Sequence, residues 1–326
     1  MIKILVVSVI FGFLIWKAVT ATDDDGKNIF AVFWEQPKRW DLLAGALFVQ
    51  TCAAAVTFVR WRWLVTAFGL RCSHFEAQRL GLLGLFINLT PLGIVGGDGA
   101  KAFLLAQSNP DLRPQAFASV IVDRIIGLLV MFLYGTVTVL MTGLAFRPEL
   151  LARTVSYTMF ALTAAGFLGA ALVFTPFFNK GHFENLLEKI PYIGTYLAKL
   201  TRAMLMYRRR KTCLFYAFLV SFLTHFLASV SMYFTALAFF GKIPDFLSHL
   251  MLYSVLQLAL LIPAAGPFEL VFEEMYHHIF AAPVGTGLIV AIGVRIVTTL
   301  VCCFGGVFAL DGTLQTIRRK HLTMDD

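Results

Sequence analysis

Charge is scarce in this chain. Only 14% of its 326 residues are Asp, Glu, Lys or Arg, against 59% hydrophobic, and the mean hydropathy is +0.78. That balance excludes an ordinary soluble domain, where about a quarter of residues are charged. Cysteine spacing of the metal or disulfide kind is missing too. Cys52, Cys72, Cys213, Cys302 and Cys303 lie in apolar runs or at their ends and read as packing residues. There is no nucleophile–base pair, no HExxH and no nucleotide loop, which argues against a covalent or ATP-driven enzyme. Gly96-Gly97-Asp98-Gly99-Ala100-Lys101 fails as a P-loop, because Ala100 precedes the lysine, Ala102 follows it and no strand comes before. No cofactor and no metal are expected. The formal charge of +8 is concentrated in loops, where it reports topology and contact with anionic lipid rather than nucleic acid.

What the chain does have is apolar length. A spanning helix needs roughly 20 apolar residues, and runs near 2–20, 41–59, 116–144, 154–177, 212–240 and 286–310 meet that need. Lys3 and the lack of an A-x-A pattern favour a retained first anchor over a removed signal peptide. Asn28 to Trp40 mixes aromatics with Lys38 and Arg39 and reads as interfacial. The stretch 179–211 alternates apolar and basic residues, as an amphipathic segment on the cytoplasmic surface would. The expected fold is all-α: a polytopic membrane protein, with residues 1–326 forming one integral membrane domain.

Two further apolar stretches are broken. Asn88 to Lys101 separates the arms Leu80–Ile87 and Ala102–Ala106, each too short to span. Pro263 to Glu269 interrupts the run 247–281 in the same manner. Bare backbone at membrane depth is tolerated only where protein or a wet cavity covers it. Both stretches therefore read as re-entrant helical hairpins, with tips at Pro91, Gly96 and Gly97 and at Pro263 and Gly266. Placing Arg60 to Arg71, Arg113, Arg208 to Lys211 and Arg318 to Lys320 inside satisfies the positive-inside rule. The count then closes with six spans, two hairpins of opposite orientation and both termini cytoplasmic. Halves at about 1–149 and 150–326 become inverted repeats, a transporter pattern. Arg124 follows Asp98 by 124 − 98 = 26 residues and Arg295 follows Glu269 by 295 − 269 = 26.

Arg124 and Arg295 each lie about 10 residues into a span, roughly 15 Å deep. An arginine there costs about 2.5 to 3.5 kcal/mol, so it should face a partner or a cavity. Two readings stand side by side. The guanidiniums bind a phosphate, or they form buried salt bridges with Asp98 and Glu269 that pin each hairpin to the next span; substrate competing for the arginines would reconcile the two. Asp98 also fits an N-cap for a helix starting at Gly99, with Lys101 in its first turn. Asp123, about 100° around its helix from Arg124, suits a link to a neighbouring helix. Glu269, Glu273 and His277 share one face at i, i+4 and i+8, where a proton relay or a metal competes with ordinary solvated polarity. His225 and Gln257 read as interhelical hydrogen-bond partners.

At Thr90 to Lys101, then Val122-Asp123-Arg124-Ile125-Ile126-Gly127-Leu128, the chain resembles the lysylphosphatidylglycerol synthase/flippase transmembrane family. That family shows P-x-x-x-G-G-D-x-x-(K/R), then D-R-x-x-G; here the proline-to-glycine gap is one residue longer. Arg60-Trp61-Arg62-Trp63-Leu64 and Pro263 to Glu269, then Arg295, fit as well, though Ala-Ala-Gly-Pro-Phe-Glu replaces P-G-G-(L/I)-G-x-x-E. The resemblance covers about residues 5 to 315. It implies a flippase-like domain translocating a lipid with a polar or charged headgroup across the cytoplasmic membrane. No aminoacyl transferase domain is present, so synthase activity and the lysyl-lipid substrate are not carried over. The expected partners are membrane lipids with anionic or amphoteric headgroups, and a homo-oligomer or a pathway enzyme. The alternatives are an intramembrane enzyme or accessory subunit of lipid-linked glycan or lipid modification, and a small-solute secondary transporter.

Overall fold

A computed structural model describes residues 12–21, 28–90, 93–173, 194–259 and 266–322. Their elements are all helices: α1 (12–20), α2 (Ile29–Glu35), α3 (Trp40–Thr66), α4 (His74–Ile87), α5 (Gly93–Ser108), α6 (Arg113–Met141) and α7 (Leu150–Val173). The chain continues through α8 (Gly194–Met206), α9 (Lys211–Phe239), α10 (Phe246–Ala259), α11 (Pro267–Glu274) and α12 (Thr286–Leu322). Helix is the backbone's answer to hydrocarbon, because every N–H and C=O is paired within the segment.

Trp40–Thr66, Pro110–Met141, Leu150–Leu172, Lys211–Phe239 and Thr286–Ala309 are long and apolar enough to cross a membrane. They coincide with five of the six expected spans, and the protein is a multi-pass membrane protein. Of the sixth span, residues 12–20 are helical and 1–11 lie outside the described residues. So do 174–193, which hold most of the expected amphipathic stretch; its remainder forms α8 and a single 3₁₀ turn, Tyr207–Arg209.

The chain divides into two units, each drawing on both sequence halves. The first comprises residues 1–53, 129–166 and 222–298. Its core joins Leu14, Val139, Leu144, Met232, Met251, Leu252, Leu256, Phe272 and Tyr276. Here α11 starts abruptly: Gly266 has φ +114°, Pro267 follows at the first helical position, and Glu269 Oε2 accepts the Gly266 N–H at 2.9 Å. Pro at that position loses no intrahelical bond. Glu273, one turn on, caps α12, accepting from Gly285 N at 2.6 Å and Leu288 N at 3.0 Å.

The second unit comprises residues 54–128, 167–221 and 299–326. Its core is Trp61, Val65, Leu70, Leu80, Leu105, Ala116 and Val120. Helix α4 opens with a capping box, in which Glu76 N donates to Ser73 Oγ at 3.0 Å and Ser73 N donates to the Glu76 carboxylate at 3.4 Å. Together these satisfy two orphan donors. The chain then leaves α4 at Asn88 and re-enters helix at Gly93, whose φ is +56°. Helices α4 and α5 pack closely because glycines face each other: a Cβ on Gly97 would collide with Gly84 O and the Asn88 carboxamide. The tertiary structure thus separates two glycine roles. Gly96 and Gly97 lie inside α5 rather than in the reversal, and Gly97 is there for close approach.

Candidate functional site

In the second unit, α5 carries Asp98 and Lys101 and α6 carries Asp123 and Arg124. Arg124 Nε donates to Asp98 Oδ2 at 2.5 Å and its Nη2 to Oδ1 at 2.8 Å, a two-pronged ion pair. Such forks fix geometry as well as charge. Asp98 is not an N-cap, because α5 begins five residues earlier at Gly93. Its carboxylate faces the neighbouring helix instead. Lys101, one turn along, places Nζ 3.9 Å from Asp98 Oδ1 and 4.4 Å from the Trp61 ring centroid.

Asp123 points elsewhere, as the 100° offset requires. Arg60 Nε donates to Asp123 Oδ1 at 2.9 Å, and Arg60 Nη1 donates to Ser221 Oγ at 2.7 Å. The Arg60 and Asp123 side chains are 5% and 4% exposed. Sequence reasoning missed Arg60, grouping it with the loop charges. The available signal was its place within a helix that runs six residues further, to Thr66. Among the described residues, three basic side chains, Arg60, Lys101 and Arg124, thus gather around two carboxylates, Asp98 and Asp123. The Arg124 side chain is 46% exposed and the Lys101 side chain 7%.

In the first unit, α11 and α12 repeat the arrangement. Arg295 Nε donates to Glu269 Oε1, and the Glu269 side chain is fully buried. The Phe268 ring centroid lies 5.2 Å from Arg295 Cζ, so a carboxylate holds one edge of the guanidinium and an aromatic face lies beside it. Arg295 Nη2 is buried with no hydrogen-bond partner among the described residues. Burying an unpaired donor is costly. Arg295 also lines a cavity of about 120 Å³ whose polar wall includes Gln50, Ser231, Tyr253, Gln257 and Thr298. Tyr253 and Gln257 hydrogen-bond to each other.

The helical face Glu269, Glu273 and His277 does not form a chain of contacts. Glu269 takes Arg295 and Gly266 N, Glu273 caps α12, and His277 Nδ1 lies 3.2 Å from Ala282 O. Gly266 sits at the start of α11, while Pro91 and Pro263 lie outside the described residues.

The chain belongs to the Lysylphosphatidylglycerol synthase TM region family, whose sequence profile matches residues 1–306. The resemblance read from the hairpin and Asp-Arg motifs is borne out. A protein of Methanocaldococcus jannaschii described as a UPF0104 membrane protein is 27% identical over 124 residues, 36% of this chain and 36% of that protein. The match thus spans about a third of the relative's length. No solved structure matches the chain.

Proposed function

We propose that the protein moves a lipid with a phosphate-bearing, anionic or amphoteric headgroup across the cytoplasmic membrane while the acyl chains stay in lipid. Arg124 and Arg295 bind the phosphate. Asp98 holds the empty Arg124 guanidinium and gives it up when the headgroup competes, while Glu269 stays on Arg295 Nε and balances it, leaving Nη2 to the phosphate. Lys101 adds positive charge beside Asp98, and Asp123 fixes Arg60. Both hairpins are re-entrant, the halves 1–149 and 150–326 are inverted repeats, and both termini are cytoplasmic. The sequence holds no nucleotide loop, and a gradient, a partner or simple equilibration drives movement.

One observation carries this reading above the others: Arg295 has a buried donor without a partner among the described residues and lines a polar cavity. A purely structural ion pair would leave no donor unspent. The equal 26-residue spacing of the two acid–arginine pairs, each ion-paired, supports treating them alike. Family membership supports the lipid as the class of cargo.

The test is transport of a tail-labelled phosphatidylglycerol in proteoliposomes carrying Arg124→Gln or Arg295→Gln. Loss of a charge-assisted contact should slow transport about tenfold to a hundredfold. Wild-type rates in correctly folded variants would remove both arginines from the mechanism.

A further inference from the structure

We infer that the headgroup received beside Arg295 is a phosphate ester carrying neutral hydroxyls, a small polyol or sugar, and not one carrying an amine. This rests on the transport reading above and names its substrate class. The argument comes from the lining of the cavity in the first unit. Its polar residues are one guanidinium (Arg295), two carboxamides (Gln50 and Gln257) and three hydroxyls (Ser231, Tyr253 and Thr298). Among the described residues, no carboxylate lines it.

Glu269, the acid nearest in role, already serves Arg295 Nε with one oxygen and Gly266 N with the other. An ammonium entering this space would meet a fixed guanidinium and no counter-ion, an arrangement that buried charges do not tolerate. Neutral hydroxyls meet the opposite situation. A carboxamide offers both a donor and an acceptor, which is what a hydroxyl needs on each side. Ser231 Oγ spends its proton on Ala46 O at 2.8 Å and Thr298 Oγ1 on Val294 O at 2.8 Å. Both oxygens therefore keep lone pairs to accept a substrate hydroxyl. The cavity, about 120 Å³, is far larger than the roughly 15 Å³ that one water occupies on this measure. It admits several heavy atoms beyond the phosphate.

The experiment compares tail-labelled lipids in wild-type proteoliposomes: phosphatidylglycerol, phosphatidic acid, phosphatidylethanolamine and lysyl-phosphatidylglycerol. Phosphatidylglycerol should move at least about tenfold faster than either amine lipid. It should also outpace phosphatidic acid, which has the phosphate without the hydroxyls. Gln257→Leu should lower the ratio of phosphatidylglycerol to phosphatidic acid transport to about one, and an unchanged ratio would overturn the role given to the carboxamide. Amine lipids moving as fast as phosphatidylglycerol would overturn this inference and leave the transport reading standing. Movement of none of the four would overturn both. A separate arm offers soluble labelled glycerol 3-phosphate; uptake above empty-liposome background, without lipid movement, would assign the same chemistry to a solute and overturn the lipid headgroup as its source.

Discussion

Arg60 and Asp123 are 63 residues apart in the chain and 2.9 Å apart in space, with neither side chain more than 5% exposed. The pair ties α3 to α6 within the second unit, next to the Asp98–Arg124 contact. Its guanidinium is committed, with Nε on Asp123 and Nη1 on Ser221. Arg124 has two nitrogens on Asp98 and a half-exposed side chain. Buried and committed reads as architecture; open and exchangeable reads as binding.

That distinction is measurable. Arg60→Met leaves Asp123 charged and alone, and removing one partner of a buried pair costs about 3 to 5 kcal/mol. The purified variant should melt well below wild type in detergent. Adding Asp123→Leu should restore most of the loss, since an apolar replacement of both partners is often neutral. A double variant no more stable than Arg60→Met would refute the assignment.

The hairpin glycines give a second contrast. Gly97 has Gly84 O and the Asn88 carboxamide within collision range of a Cβ, whereas Gly99 has nothing within 4 Å. Gly97→Ala should therefore destabilise by about 1 to 3 kcal/mol through overpacking. Gly99→Ala should be neutral or stabilise by up to about 1 kcal/mol through helix propensity. Thermal unfolding of the two variants side by side is the check, and equal melting temperatures would contradict the packing described for α4 and α5.

A third expectation concerns topology. If α4 and α5 form a re-entrant hairpin, Ser73 and Ser108, both exposed at its outer ends, lie on one side of the membrane. Single cysteines at these positions in a cysteine-free background should both react with an impermeant maleimide from the cytoplasmic side only. Labelling from opposite sides would mean that the segment crosses completely.

Much of this was legible in the residues. Sustained apolar runs located α3, α6, α7, α9 and α12, because hydropathy is a local property and a span must satisfy its backbone within itself. The 26-residue spacings pointed at Asp98 with Arg124 and Glu269 with Arg295 for a similar reason: a mid-span charge demands a partner. The site was less legible. Asp98 looked like a cap because glycines usually end helices, yet α5 runs through Gly96, Gly97 and Gly99. Gly97 serves there because α4 packs against its backbone, a fact no local pattern contains. Glu273 left a relay, a metal and ordinary solvated polarity open because it shares a helical face with Glu269, and its oxygens instead close the start of α12.

By itself, then, the sequence determined that this is an all-helical, multi-pass membrane chain, since burial in hydrocarbon constrains each segment separately. Only the tertiary structure decided which charge answers which. It assigned Arg60 to Asp123, closed α5 onto α4 at Gly84 and Gly97, and left Arg295 Nη2 unspent beside a polar cavity. Those choices depend on which helix faces lie side by side, and residues 63 apart in the chain become partners only once packing has placed them.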